Sequence, residues 1–346
     1  MQLLTPDTLP DRLEDEDAVE ELLSRPSQAL IDDMARLDGD ILVLGVGGKV
    51  GPTLARLAKR AAPNKRVVGI ARFSDKKVRA RLDAWGVETI ACDLLDRAAV
   101  AALPILPNIV YMAGRKFGTD GDEPFTWAMN VDAPAITAEA FRDSRIVAFS
   151  TLCVYPFTPI ADGGATEDIT PGPPGEYANS CLGRERMFEY FSGVHGAPGR
   201  LIRLAYAIDM RYGVLHELAT KVRDGTPIDL TTGHTSIIWQ GDASAQILRS
   251  LLHSTAPTTP LNITAPDIVS IRSLAEGLAA RLGKKPAFTS READTAWVMN
   301  GTQALGLFGA PVVTTDRMLD WIADWVSHDG PSYGKPTRYD SRDGRF

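Results

Sequence analysis

"ILVLGVGGKVGPTLARLA", residues 41–58, runs an apolar strand pattern straight into a glycine-rich turn and then into apolar residues at helical spacing. Gly45, Gly48 and Gly51 stand in a GxxGxxG spacing. Glycines there permit a tight turn and let backbone N–H groups, those of Lys49 and Val50 included, approach a pyrophosphate whose charge the helix N-terminus favours. Glycine spacing alone is a weak signal. Its place after the first strong strand of a strand–helix alternation is what predicts the opening unit of a dinucleotide-binding sheet.

Outward from this stretch the alternation continues through "RVVGIAR", "KKVRARLDAWG", "ETIACDL", "NIVYMAG", "FTWAMNVDAPAITAEAF", "RIVAFSTLCVY" and "GRLIRLAYA". Apolar runs separated by amphipathic helices predict an α/β fold, a doubly wound parallel sheet covered on both faces. Upstream, "DAVEELLSRPSQALIDDMARL" has helical spacing broken by Pro26, which predicts two short helices laid on the main domain. The expected organisation is a helical extension over 1–38, a dinucleotide-binding domain over 39–203 with 237–263, a smaller interleaved substrate lobe over 204–236 with 264–330, and a tail over 331–346. That tail is polar and turn-rich, and is expected to run extended over the surface.

Composition narrows the function classes. A formal charge of -7 disfavours nucleic acid and anionic lipid as partners. No apolar run approaches the roughly 20 residues that span a bilayer, and the acidic start is unlike a signal peptide, so a cytoplasmic protein is expected. Cys92, Cys153 and Cys181 are widely spaced, which suits reduced thiols and implies neither disulfide framework nor metal site.

At the end of the second strand, "GIARFSD" carries Ala71 and Arg72 where an acidic residue would bind a ribose 2′-hydroxyl. A guanidinium suits a 2′-phosphate, and Ser74 adds a hydroxyl, so NADP is expected ahead of NAD. Asp93 and Leu94, after the third strand, are placed to meet the adenine; Asp93 also fits a helix cap.

With these motifs in order, together with "YMAG" (Ala113, Gly114), "MNV" (Asn130), "STLCVY" and "EYANS", the chain resembles the extended short-chain dehydrogenase/reductases, the NAD-dependent epimerase/dehydratase family, from about Asp40 to Val326. The resemblance implies that Thr151 binds the reacting oxygen and that Tyr177 is the catalytic tyrosine. It also implies a lysine one helical turn beyond the tyrosine, and here that position is Cys181. A free phenol, with pKa near 10, is a poor base at neutral pH and needs a nearby cation. Lys116 in "AGRKFG" is the first candidate and Arg184, three residues past Cys181, the second. Cys181 itself reads as a packing residue, a ribose partner or a catalytic thiol.

The family's nucleotide-sugar epimerases carry an arginine for the diphosphate before a histidine; this chain has Thr235 and Trp239 at those positions. A free sugar, sugar acid or related polyhydroxylated compound is therefore expected as substrate, with Arg115, Lys116, Arg211 or His234 as contacts and Trp239 as a wall. The expected activity is an NAD(P)-dependent oxidoreductase acting on a carbinol or keto carbon. A sugar epimerase with bound NAD(P) and a non-catalytic NADP sensor are the alternatives. The resemblance also implies a homodimer.

Overall fold

The apolar runs form seven strands: β1 (Ile41–Leu44), β2 (Val67–Ala71), β3 (Glu88–Ala91), β4 (Asn108–Tyr111), β5 (Arg145–Thr151), β6 (Gly199–Leu204) and β7 (Thr259–Ile263). In the computed structural model, which describes residues 2–116, 118 and 121–344, they pair in parallel in the order β7-β6-β5-β4-β1-β2-β3. Met1 of the expected extension and residues 345–346 of the expected tail lie outside the described residues. All four residues of β1 and of β4 are buried, because helices cover both faces and alternate side chains feed two cores. Ile41 and Val43 enter one, Leu42 and Leu44 the other. Strand order reverses between β1 and β4, and a doubly wound sheet offers a ligand crevice at the carboxyl ends of such a pair.

Pro26 separates helix α1 (Glu16–Leu23) from helix α2 (Gln28–Arg36). Asp15 caps the first by accepting from the Ala18 N–H at 2.8 Å, and Ser27 caps the second by accepting from Leu30. The two helices serve different cores: Leu30 and Met34 of α2 pack against the main sheet, whereas Val19, Leu22 and Leu23 of α1 pack into a third cluster. That cluster lies among helices Val214–Asp224, Ile271–Leu282 and Thr315–Ser327. A three-stranded sheet joins it, with His234–Trp239 between Tyr206–Ile208 and Ile268–Ser270.

The C-terminal segment is extended, but it is pinned rather than loose. The Tyr333 N–H donates to the Arg211 carbonyl, Thr337 donates to Glu217 through both its N–H and its hydroxyl, and Arg342 donates to Thr295. Tyr339 is buried in the third core. Polar composition concealed this, because the anchors are a single buried aromatic and hydrogen bonds to distant partners.

Candidate active site

β1 delivers the chain into the glycine loop, and helix α3 (Gly51–Ala61) takes it out. Gly45 has φ +89°, and a Cβ there would lie 2.5 Å from the Ala113 nitrogen. A Cβ on Gly51 would come within 2.2 Å of the Val46 carbonyl oxygen. Both glycines are therefore required by the protein's own packing. Gly48 differs: a Cβ there would meet protein atoms no closer than 3.7 Å. Its open side, above the first N–H groups of α3, is a cradle suited to an anion.

One cavity of about 280 Å³ lies beside the loop, lined by Gly45, Gly48, Arg72, Ser74, Asp93 and Leu94 among others. Ala113 and Gly114 at the end of β4 also line it. Arg72 and Ser74 are exposed at its rim. Asp93 accepts from the Leu95 N–H at 3.1 Å while facing the cavity; the helix cap open to it from sequence is filled by Asp96 instead, which accepts from the Ala98 and Ala99 N–H groups.

A second cavity, about 260 Å³, continues on the other side of Gly114 and contains Lys49, Val50, Lys116, Thr151, Tyr177 and Arg184. Tyr177 sits in the first turn of the long helix Gly175–His195, and Cys181 is fully buried one turn on. Burial pushes the Tyr177 phenol well above its ordinary value; the thiols of Cys181 and Cys153 add to the rise, and the Arg184 guanidinium opposes it. Burial likewise raises the Cys181 thiol, with Arg184 the strongest opposing influence. The Thr151 hydroxyl accepts from the Cys153 N–H at 3.2 Å, which leaves its own proton to donate elsewhere.

Arg184 is the fixed cation of this site. It is buried, donates from Nη2 to Asn130 Oδ1 at 2.7 Å and from Nη1 to the Phe149 carbonyl at 3.0 Å. Its guanidinium is pressed so close to Gly114 that a Cβ there would be 2.2 Å from Nη2. Asn130 lies on a single π-helical turn, Ala128–Asp132. It accepts from the Arg115 N–H and from Arg184, and donates to the Arg115 carbonyl and to Ser180. One buried amide thus joins the loop after β4 to the Tyr177 helix.

Lys116 lines the same cavity, but its Nζ donates to the Thr337 carbonyl at 3.3 Å. Burial lowers its ammonium. Lys49 sits with Nζ 3.1 Å from the centre of the Tyr212 ring, and burial together with Lys116 and Lys335 pushes it down to about 7. Arg115 reaches the cavity while ion-paired with Asp122.

Three expected substrate contacts stand elsewhere. Trp239 is fully buried against Trp321 in the third core, ring centres 5.3 Å apart, so it is no cavity wall; its neighbour Gln240 lines the cavity instead. Arg211 is buried in an ion-pair network with Asp209, Glu16 and Glu20. His234, half-buried at the start of its strand, is not among the lining residues.

Residues 41–232 match the NAD dependent epimerase/dehydratase family, more than half of the chain. The protein belongs to that family. Solved structures with the same fold include the UDP-glucose 4-epimerase of Thermus thermophilus in complex with NAD, with TM-score 0.68 and 18% identity over 82% of this chain and 98% of that one. They also include the UDP-glucuronic acid 4-epimerase of Bacillus cereus in complex with UDP-glucuronic acid and NAD, at 0.68 and 17% over 84% and 99%. WbmH of Bordetella bronchiseptica in complex with NAD+ gives 0.68 and 19% over 84% and 99%. No curated protein matches the chain in sequence.

For this epimerase/dehydratase-family member, several cavity residues went unnoticed in the sequence: Cys153, Tyr206, Tyr212 and Gln240. Cys153 and Tyr206 had a signal, since each follows closely on a parallel strand at its carboxyl end, where such sheets bind ligands. Tyr212 and Gln240 had none: Tyr212 comes from the smaller lobe, and Gln240 opens the helix Gln240–Arg249, which packs on the main-sheet core. Among the described residues no His, Cys, Asp and Glu side chains gather in a metal-ligating group, and no helix is long and apolar enough to cross a membrane.

Proposed function

We propose that the protein is an NAD(P)-dependent oxidoreductase acting on a carbinol or keto carbon of a small polyhydroxylated compound, a sugar or sugar acid. The observation that carries this is the convergence of Tyr177, Thr151 and the buried Arg184 in one cavity that shares Gly114 with the glycine-loop cavity. When bound, the cofactor's nicotinamide gives or takes the hydride. N–H groups around Gly45, Gly48, Lys49, Val50 and Gly51 hold its pyrophosphate, Asp93 and Leu94 flank its adenine, and Ala113, Gly114 and Asn130 border its other half. Arg72 and Ser74 favour a 2′-phosphate, hence NADP ahead of NAD. At the substrate, the Thr151 hydroxyl donates to the reacting oxygen while Tyr177 gives or takes its proton.

With Cys181 where the family resemblance puts a lysine, a neutral thiol supplies no positive charge to the phenol. Arg184 supplies it in this reading, ahead of Lys116, because Arg184 is the cation that opposes the rise of both Tyr177 and Cys181 most directly. Cys181 acts as a packing and hydrogen-bonding partner. The protein works as a homodimer in the cytoplasm, Tyr190 and Val194 being exposed on the Tyr177 helix.

Absorbance of reduced nicotinamide, followed with a panel of aldoses and aldonates, tests this: Tyr177→Phe is expected to lose about 100-fold or more in turnover with cofactor affinity kept. Undiminished turnover in that variant sinks the reading. A sugar epimerase is the second reading, favoured by the 4-epimerases among the structural neighbours. Epimerised product without net cofactor reduction would decide for it.

A further inference from the structure

A buried phenol usually finds a hydrogen-bond partner. Tyr155 does here, donating to Asn262 Oδ1 at 2.8 Å and accepting from Arg203 at 2.9 Å. The Tyr206 hydroxyl is different. Its oxygen is out of solvent, yet among the described residues it has no hydrogen-bond partner. The Tyr111 and Tyr339 hydroxyls share that state, but those two residues line neither cavity, whereas Tyr206 lines the one that holds Thr151 and Tyr177. Arg184 Nε is the other such atom on a residue of that lining, and the rest of its guanidinium is already bonded to Asn130 and Phe149. Tyr206 keeps its whole polar function unused.

The fold fixes this hydroxyl in place. Parallel pairing sets Thr151 of β5 opposite Leu204 of β6, and Tyr206 follows two residues later, where the chain leaves the main sheet to pair with Ile237. Its ring packs against both the main-sheet core and the third core, which holds the phenol oxygen away from bulk water. Burial pushes the phenol well above its ordinary pKa, and the Cys153 thiol, the Tyr212 phenol and the Asp340 and Glu217 carboxylates add to the rise, so it stays a neutral O–H donor. An unpaired buried hydroxyl destabilises the fold that carries it; in a cavity wall it is explained when a ligand supplies the acceptor. We propose that the Tyr206 hydroxyl donates a hydrogen bond to a second, non-reacting oxygen of the substrate and so selects polyhydroxylated compounds over analogues lacking that oxygen. Resting on the oxidoreductase reading, this makes Tyr206 a specificity-determining residue, because a deoxy analogue leaves the donor unpaired in the complex.

Calorimetry and thermal unfolding of the full-length, cofactor-saturated protein test it, with glucose, galactose, gluconate, galactonate and their single-site deoxy analogues as probes. Tyr206→Phe keeps the ring and removes only the orphaned oxygen, so without substrate its melting temperature equals or exceeds that of the wild type. At least one parent probe binds the variant about tenfold or more weaker. The deoxy analogue that lacks the bonded oxygen binds the wild type weaker by a similar factor, and binds the variant no weaker than the parent probe does. That collapse of the deoxy penalty separates a direct contact from a packing effect at a distance. A lower melting temperature in substrate-free Tyr206→Phe overturns the proposal, by showing that the hydroxyl already has a partner. Unchanged affinity for every probe overturns it, as do failure of every probe to bind the wild type and a deoxy penalty that survives in full in the variant for every analogue. Disappearance of the acid limb of kcat/KM in Tyr206→Phe also overturns it, by making Tyr206 the proton-transfer group. Weaker binding in the variant without cofactor reduction by any probe leaves the role of Tyr206 standing and sinks the oxidoreductase reading; cofactor reduction with KM unchanged in the variant does the reverse.

Discussion

Replacing Arg184 by methionine removes a buried guanidinium whose charge opposes the rise of the Tyr177 phenol. The two residues are seven apart on one helix, two turns, so their levels along the axis differ by about 10.5 Å. A unit charge at about 10 Å and an effective dielectric of about 20 is worth about 1.7 kcal/mol. That equals about 1.2 pKa units. In carbinol oxidation the phenolate is the base, so activity rises with pH through the phenol's pKa. Raising that pKa moves the acid limb of kcat/KM toward alkaline pH, and below the limb Arg184→Met is about 16-fold slower. In the reducing direction the protonated phenol is the acid, and the falling limb moves alkaline by the same amount. Arg184→Lys separates charge from scaffolding. Lysine keeps the charge but lacks the planar fork whose two nitrogens donate separately to Asn130 Oδ1 and the Phe149 carbonyl, so the limb returns most of the way while thermal stability stays low. The assay is a pH series of kcat/KM on wild type, both Arg184 variants and Lys116→Met, each checked for cofactor binding. If Arg184→Met folds and binds cofactor with its limb unmoved, or if Lys116→Met moves the limb as far, the role given to Arg184 is wrong.

Arg72→Ala is expected to weaken NADP binding about tenfold to a hundredfold and leave NAD unchanged, the worth of one hydrogen bond to a charged group; tighter NAD binding in the wild type, or equal losses, refutes the 2′-phosphate role. Arg203→Met breaks a pair with Glu185 at 2.8 Å whose side chains are 3% and 0% exposed, and is expected to cost about 3–5 kcal/mol in urea unfolding because the carboxylate stays buried. The double replacement Arg203→Met with Glu185→Leu should recover most of that, and a single-variant loss below about 1 kcal/mol would show that the pair is relaxed or hydrated.

The sheet was legible because each parallel strand is buried on both faces and so reads as an unbroken apolar run. "ILVL", "VVGIA" and "NIVY" became β1, β2 and β4 with little shift at their ends. The relative places of Tyr177, Cys181 and Arg184 were legible for a similar reason, since a helix fixes them by spacing alone. How the nearby cations are held was not: Arg184 is fixed by Asn130, which lies on a π-turn without a sequence signature, whereas Lys116 reaches the distant Thr337 carbonyl. Trp239 was misread because its strand, His234–Trp239, has one side toward the main body and the other toward the lobe core. Strand alternation is visible in sequence, but which phase faces the cavity is set by pairing with Tyr206–Ile208.

Arg211 was misread for a reason that reaches further into how the cavity is held. A lone arginine after a strand looks like a ligand for an anion, and nothing near it in sequence says otherwise except Asp209. Its partners Glu16 and Glu20 come from α1, far back along the chain. The same helix takes Arg60 of α3 on Glu21 at 2.8 Å, and Arg81 on Glu20. Thus α1 is tied on one side to the helix that follows the glycine loop, and on the other to the segment carrying Tyr212. Those are two of the walls between which Lys49 reaches its ring. Buried or half-buried ion pairs of this kind add little net stability when compared with apolar packing, but breaking one strands a charge, so they resist sliding of the parts they join. The acidic opening of the chain, which reads in sequence as two short helices laid on the main domain, therefore also ties the helix after the glycine loop to the segment carrying Tyr212.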